Sequence, residues 1–326
     1  MFCKRVLIAG LLMTGSAPAF AQAAPWSVDP DFKNAEAAVE ISGVSCPGLS
    51  TRQNWCVAVN DEKKYLQFFQ MDGRRIAPGK RARVLVRRDR FGQKLKEPDI
   101  EGVAHDEGFL YATGSHGAPR RGGELQPSRF LVFRLPVDAN TGAPAFNLTR
   151  DTVEAGIVST DRLRAAITAV PALKVAANGR LDQNGVTIEG LGAKAGQLFF
   201  GLRTPVDADG AFILETSAKT LFSEREIALK SHRVDLGAGY GIRAIEPFRD
   251  AFLLLAGTGF GDEMPPVVWL WAPGYAAIKV KTLDVPEGWK AEGLMLVSDS
   301  ETGVRVLAFF DGQKNGAPME FRLPIR

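Results

Sequence analysis

Short apolar runs of five to seven residues recur along the chain, each broken by Gly, Pro, Asp or Asn: "FLYATG", "RFLVFRLPV", "QLFFGL", "AFLLLAG", "VVWLWA" and "VRVLAFF". Many of their residues are aromatic or β-branched, so the runs read as strands at regular spacing. One segment departs from this texture, "DTVEAGIVSTDRLRAAITAVPAL" at 151–173. It reads as a helical insertion whose second half Asp161 can cap and which Pro171 stops.

A repeat runs through the strands. Five segments align: "EISGVSCPGLSTRQNWCVAVNDE" from Glu40, "DIEGVAHDEGFLYATGSHG" from Asp99, "TIEGLGAKAGQLFFGLRTP" from Thr187, "AIEPFRDAFLLLAGTG" from Ala244 and "KAEGLMLVSDSETGVRVLAFFDG" from Lys290. Each begins with a small or apolar residue, then Glu, then Gly, with Ser42 replacing Glu in the first copy and Pro247 replacing Gly in the fourth. A turn and a second apolar strand follow. Glu101, Glu189, Glu246 and Glu292 lie 88, 57 and 46 residues apart, and Ser42 lies 59 before Glu101. A period near 45–60 fits a four-stranded propeller blade. The expectation is an all-β chain, a β-propeller of five four-stranded blades, with room for a sixth in the 88-residue gap that holds the helical insertion. A β-sandwich or two smaller β domains would not explain Glu-Gly at blade-length intervals. "MEFRLPIR" at the C-terminus resembles the third-strand text "RFLVFRLPV", so the chain ends on a third strand. "DPDFKNAEAAVE", at 29–40, is then the candidate fourth strand that closes the ring.

Lys4 and Arg5, the apolar "VLIAGLLM" and Ala19-Phe20-Ala21 together predict a secretory signal peptide over 1–21, with cleavage after Ala21 and a single propeller domain over 22–326. The apolar stretch is short of the ~20 residues a membrane span needs. A periplasmic or extracellular location is expected. Loss of Lys4 and Arg5 takes the net charge from +3 to +1, which argues against a nucleic-acid binder. The basic run "GKRARVLVRRDRFGQKLK" at 79–96 reads as a strand with a solvated basic face. Cys46 and Cys56 survive cleavage, with nine residues between them. Export implies an oxidising compartment, so they are expected to form a disulfide, which for so short a loop contributes about 2–3 kcal/mol in the chain-entropy model.

In a blade, the start of the first strand lies beside the end of the second. Glu101 is therefore expected beside Ser115 and His116, Glu189 beside Arg203, Glu246 beside Thr258, Glu292 beside Asp311, and Ser42 beside Asn60 and Asp61. Radial symmetry would gather these pairs at one channel mouth. A ring of carboxylates with Asn and Ser suits a hard cation such as Ca²⁺, which takes six to eight oxygens. The competing reading makes each Glu a staple that binds backbone amides of the blades. Arg203 and Arg243 are candidates for holding an anionic group. His116, in "GSHG", is the candidate general base. His105 falls in a turn at the other end of its hairpin and His232 in an outer strand. "GTGFG" and "GAGYG" miss the dinucleotide fingerprint, "TGSHG" misses the nucleophile elbow, and no Cys or His pair has zinc spacing.

The quoted Glu-Gly segments, together with "GIRAIEPFRDAFLLLAGT", resemble the bacterial secreted domain-of-unknown-function family 3616 over nearly the whole mature chain. More distantly the pattern resembles esterase-like phytase propellers and gluconolactonase- and paraoxonase-type propellers. That resemblance implies Glu101, Glu189, Glu246 and Glu292 as ligands to a channel calcium. Two functions follow as expectations. One is a cation-dependent hydrolase of a small anionic ester or lactone, with His116 moving protons and Arg203 orienting the anion. The other is a non-catalytic propeller that binds a ligand or a protein partner.

Overall fold

Neighbouring residues in a strand point to opposite faces, so a run such as Phe199-Phe200 needs a hydrophobic neighbour on each side. The fold supplies both. The computed structural model describes residues 26–33, 39–48, 54–86, 88, 92, 94–119, 125–145, 156–208 and 210–325. Among them the strands form five sheets. The first sheet holds β1 (Ser27–Val28), β2 (Ile41–Ser45), β3 (Cys56–Asn60), β4 (Tyr65–Asp72) and β5 (Arg75–Arg83). The second holds β6 (Ile100–Asp106), β7 (Phe109–Gly114), β8 (Val132–Pro136) and β9 (Val158–Thr160). The third holds β10 (Thr187–Lys194), β11 (Gln197–Thr204), β12 (Ala211–Ser217) and β13 (Lys230–Val234). The fourth holds β14 (Tyr240–Phe248), β15 (Ala251–Thr258), β16 (Val267–Trp271) and β17 (Ile278–Thr282). The fifth holds β18 (Lys290–Ser300), β19 (Gly303–Asp311) and β20 (Met319–Leu323).

The inner strands β2, β6, β10, β14 and β18 pack in that order, and β18 returns to β2. The molecule is a five-bladed β-propeller. Its core is divided into five hydrophobic layers, one at each junction between blades. Phe200 faces the layer shared with the second blade and Phe199 the layer shared with the fourth. Phe68 and Phe69 divide in the same way, as do Phe309 and Phe310. This is the origin of the continuous apolar text of the second strands.

Among the described residues, the long gap between the second and third copies holds no sixth blade. It carries β9, helix α1 (Arg162–Ala169) and short 3₁₀ turns. The helical segment is thus shorter than 151–173: residues 158–160 are the outer strand of the second blade, and 151–155 lie outside the described residues. Asp161 occupies the N-cap position without a capping side-chain bond, and Thr160 Oγ1 accepts the Arg162 N–H instead. Leu163 and Ile167 anchor α1 in the layer between the second and third blades.

Ring closure differs from the expectation. The fifth blade ends on β20, its third strand, but 29–33 adds no fourth strand to it. Instead β1 runs parallel to β5 on the outside of the first blade. Side chains make the junction. The Trp26 indole N–H donates to Glu320 at 3.1 Å, the Phe32 N–H donates to Asn315 Oδ1 at 3.0 Å, and Asn315 Nδ2 donates to Asp31 at 2.8 Å. Residues 34–38 of the expected strand lie outside the described residues. So do the signal-peptide residues 1–21. Cys46 and Cys56 form the expected disulfide across the β2–β3 hairpin, Cα–Cα 4.3 Å. The basic run joins β5 only up to Arg83; Val84 is buried beyond the strand and Val86 exposed. No helix among the described residues is long and apolar enough to cross a membrane.

Candidate functional site

Every inner strand carries a β-bulge near its start. Pairing with the second strand skips one residue between Ile41 and Gly43, Ile100 and Gly102, Ile188 and Gly190, Ile242 and Ala244, and Ala291 and Gly293. The skipped residues are Ser42, Glu101, Glu189, Arg243 and Glu292. A bulge leaves its extra residue out of the ladder and re-aims it. The residue after the bulge is small because the next inner strand passes close by. A Cβ on Gly43 would lie 2.9 Å from Glu101 O, and one on Gly102 would lie 2.7 Å from Leu191 Cβ. The Glu-Gly motif therefore joins two requirements: a re-aimed polar residue and a close contact between blades.

The fourth blade corrects the alignment. Arg243, not Glu246, occupies its bulge, and "Ile-Arg-Ala" is the true match to "Ile-Glu-Gly". Glu246 lies three residues further along β14, opposite Leu253, and accepts the Leu296 N–H at 2.8 Å. It does not join the ring. Thr258, the partner expected for Glu246, instead meets Arg243, whose Nη2 donates to Thr258 O at 2.7 Å.

Arg243 changes the electrostatics of the ring. Its Nη1 donates to Glu189 at 2.6 Å and to Glu292 at 2.9 Å, and Arg203 Nη1 donates to Glu189 at 2.8 Å. Burial pushes the Glu189 carboxyl up, but the two guanidinium groups overcome it and hold the group below its ordinary value. Burial, and then the charge of Glu189, pushes Glu292 up to about 8, with Arg243 opposing. Blades three to five are thus tied together by a buried ion network, and here the carboxylates serve as staples. Their partners are arginines rather than the backbone amides anticipated.

The other side of the mouth is different. Asp61, Asp99 and Glu101 bring carboxylate oxygens within 4.8 Å of one another. Asp61 Oδ1 is buried and has no hydrogen-bond partner among the described residues. Burial, reinforced by Asp99, Glu40, Glu62 and Asp311, pushes Asp61 up to about 8. Burial and then Asp99 drive Glu101 well above its usual range. Asp99 is raised by burial although Arg129 stands 3.2 Å away. Burial and a hydrogen bond with Asp311 bring Glu40 to about 7. Asp61 enters this cluster from the turn after β3, Asp99 from the approach to β6, and Glu101 from the bulge.

Several expected partners meet differently. Ser115 is beside Asp99, not Glu101: its N–H donates to Asp99 O at 2.9 Å and its side chain bonds the Asp99 carboxylate. Ser42 Oγ donates to Ile100 O at 2.5 Å, and Asn60 Oδ1 accepts the Glu62 N–H at 2.9 Å. Asp311 hydrogen-bonds Glu40 and adds its charge to Asp61 and to Glu292, the neighbour expected for it. His116 is fully buried against Phe130, and neither ring nitrogen has a partner among the described residues. Burial, and then Arg164, lowers its pKa to about 3. That is a neutral core ring, poorly suited to act as a base near neutrality. His105 lies on β6 rather than in a turn, and His232 lies on outer strand β13, bonded to Glu215 at 2.6 Å. Sequence reasoning missed Asp99. Its signal is a carboxylate two residues before the bulge, in left-handed backbone at φ 54°, which Asp tolerates better than most residues.

The family model described as "Protein of unknown function (DUF3616)" matches residues 45–316, which include all five bulges except Ser42. The chain belongs to this family. No curated protein matches the chain. Among solved structures it is similar to a glutaminyl cyclase from Myxococcus xanthus, with 12% identity, a TM-score of 0.44, and coverage of 92% of this chain and 97% of that one. It is also similar to a streptogramin B lyase, with 9% identity, a TM-score of 0.40, and coverage of 91% and 86%. A third is YCF48 bound to a D1 peptide, with 12% identity, a TM-score of 0.36, and coverage of 94% and 72%. The chemistry of this family member is therefore read from its own residues.

Proposed function

We propose that this propeller holds a hard divalent cation, of the Ca²⁺ class, at the open side of the bulge ring and uses the site to hydrolyse a small anionic ester or lactone. The observation that carries the reading is Asp61, whose buried Oδ1 has no hydrogen-bond partner among the described residues and whose carboxylate lies with those of Asp99 and Glu101, with oxygens within 4.8 Å of one another. Three carboxyl groups so close repel one another when ionised, and a cation relieves that repulsion. All-oxygen donors suit Ca²⁺ better than a softer metal.

Asp61, Asp99 and Glu101 would hold the cation. When bound, such a cation supplies Lewis-acid polarisation of a substrate oxygen. Arg129 sits on Asp99 and limits the negative charge at the rim. Arg203 commits Nη1 to Glu189 and Nε to Gly259 O, and its Nη2 is the group to orient an anion. Proton transfer falls to the Glu40–Asp311 pair, because Glu40 titrates near 7 and His116 is sealed in the core. The predicted signal peptide would place the site outside the cytoplasm, where calcium modules work at ~10⁻⁴–10⁻³ M.

The test is a thermal-unfolding titration of chelator-treated protein with CaCl₂ and MgCl₂, alongside hydrolysis of 4-nitrophenyl phosphate and of a small lactone with and without EDTA. A calcium-dependent rise in Tm with EDTA-sensitive turnover is expected. No rise up to ten millimolar would remove the cation; a rise without turnover on any ester would favour the binding propeller over the enzyme.

A further inference from the structure

The inner strands run from the bulge ring to a second mouth at the opposite end of the channel. There a cavity of about 170 Å³ is lined by one residue or more from each of them: Ser45 from β2, His105 from β6, Ala193 from β10, Glu246 from β14 and Leu296 from β18. It lies on the propeller axis, and a concave, partly apolar cavity with a few convergent polar groups is the usual form of a small-molecule site.

Its polar groups are arranged and incompletely used. Ser45 Oγ and His105 Nδ1 are hydrogen-bonded at 3.0 Å. His105 Nε2 is buried and has no partner among the described residues. Glu246 accepts the Leu296 N–H at one oxygen, 2.8 Å away. The two charged residues of the lining are engaged elsewhere. Asp106 accepts the Gly196 N–H at 2.7 Å, and Lys194 Nζ donates to Arg249 O. Cys46, Pro247 and Leu296 make the remaining wall apolar. Burial holds the ring of His105 neutral, near 3, and the Glu246 carboxyl protonated, near 8. A buried nitrogen of this kind costs free energy unless something bonds it.

The geometry points to a second binding site at this mouth, for a small uncharged molecule that carries both a hydrogen-bond donor and an acceptor, as a carboxamide does. The carbonyl and N–H of an amide match the Glu246 carboxyl and the free His105 nitrogen, and the two charged residues of the lining, Asp106 and Lys194, are of opposite sign, so the cavity has no net charge to balance an ionic ligand. The site is independent of the cation site at the other mouth, so either can fail alone.

The chain has three histidines, so ring resonances can be followed individually. His105→Gln assigns the His105 signals. Propionamide is titrated against the full chain at pH 7, with sodium propionate and propylammonium chloride as charged analogues of the same size. The expected result is a saturable shift of the His105 ring signals by propionamide, at least tenfold weaker with either ion, and weakened in Ser45→Ala. Glu246→Gln, which keeps both an acceptor and a donor, is expected to retain it. If Ser45→Ala does not fold, the comparison of amide with ions in the wild type still decides. No saturable shift at His105, shifts confined to His116 or His232, or equal response to all three compounds would overturn the assignment.

Discussion

Arg243 in the fourth blade stands at the position Glu189 holds in the third, and its guanidinium donates to that glutamate at 2.6 Å. One cation among equivalent bulge positions divides the ring. Glu189 and Glu292 are bonded to Arg243; Glu101 lies instead against the carboxylates of Asp61 and Asp99. The same symmetry position thus serves as staple on one side and as candidate cation ligand on the other.

Replacing Arg243 by Met should leave Glu292 without its arginine and Glu189 with Arg203 alone. Removing one partner of a buried pair typically costs about 3–5 kcal/mol. Denaturant unfolding should show a loss of that order, with partial recovery when Glu292→Gln is added. A loss under 1 kcal/mol would mean the network contributes little.

Asp61→Asn should act in opposite directions with and without calcium. Without the cation it removes like-charge repulsion and raises Tm by a few degrees. With calcium the wild type should gain about 2.7 kcal/mol at a hundredfold excess over Kd, and the variant much less. Paired melting curves in EDTA and in CaCl₂ check this.

Gly102→Ala tests the close packing of inner strands. The new methyl would lie 2.7 Å from Leu191 Cβ and 3.0 Å from Leu191 N, so one strand must shift. Overpacking of this kind costs about 1–3 kcal/mol. Equilibrium unfolding is the measurement, and the calcium response should fall with it because Glu101 is the preceding residue.

Burial raises Glu246 from its ordinary 4.5 to about 8 in the folded chain. Between those values the folded state keeps a proton that the unfolded state has released, so stability falls as pH rises from about 4.5 to 8. Glu246→Gln should flatten this limb and be more stable than the wild type at pH 8 and above. Unfolding midpoints across that range give the comparison.

His116 has the opposite sign. Its folded pKa is depressed from 6.5 to about 3 by burial, so its contribution is present above pH 6.5 and lost as pH falls toward 3. His116→Asn tolerates the left-handed backbone at φ 53° and removes the titrating ring. It should lower stability at pH 7 yet make acid unfolding less steep by about one proton. An unchanged acid limb would show that the ring is not buried neutral.

The repeat of apolar runs and the Ile-x-Gly motif lie in local text, and they determined the propeller, the third-strand ending and the Cys46–Cys56 disulfide, while the choice of five blades over six came from the structure. A second-strand run such as "LFFG" can satisfy both of its faces only between two neighbouring sheets, so the fold class was legible residue by residue. The Arg243 bulge was legible too. Glu101, Glu189 and Arg243 each lie six residues before a turn residue of positive φ, namely Glu107, Ala195 and Arg249. The alignment followed the glutamate instead of the turn and so chose Glu246.

What the tertiary structure alone decided was which of these polar residues share a charge environment. Asp61, Asp99 and Glu101 come from two blades, Arg243 reaches two glutamates 54 and 49 residues away in sequence, and His105 meets Ser45 across sixty residues. Coulomb energy and desolvation depend on distance through space and on burial. Neither is a property of sequence spacing. The chain spelled out a ring of polar positions, and the packing of the blades determined which of them are paired, which are left buried without a partner, and which face the opposite mouth.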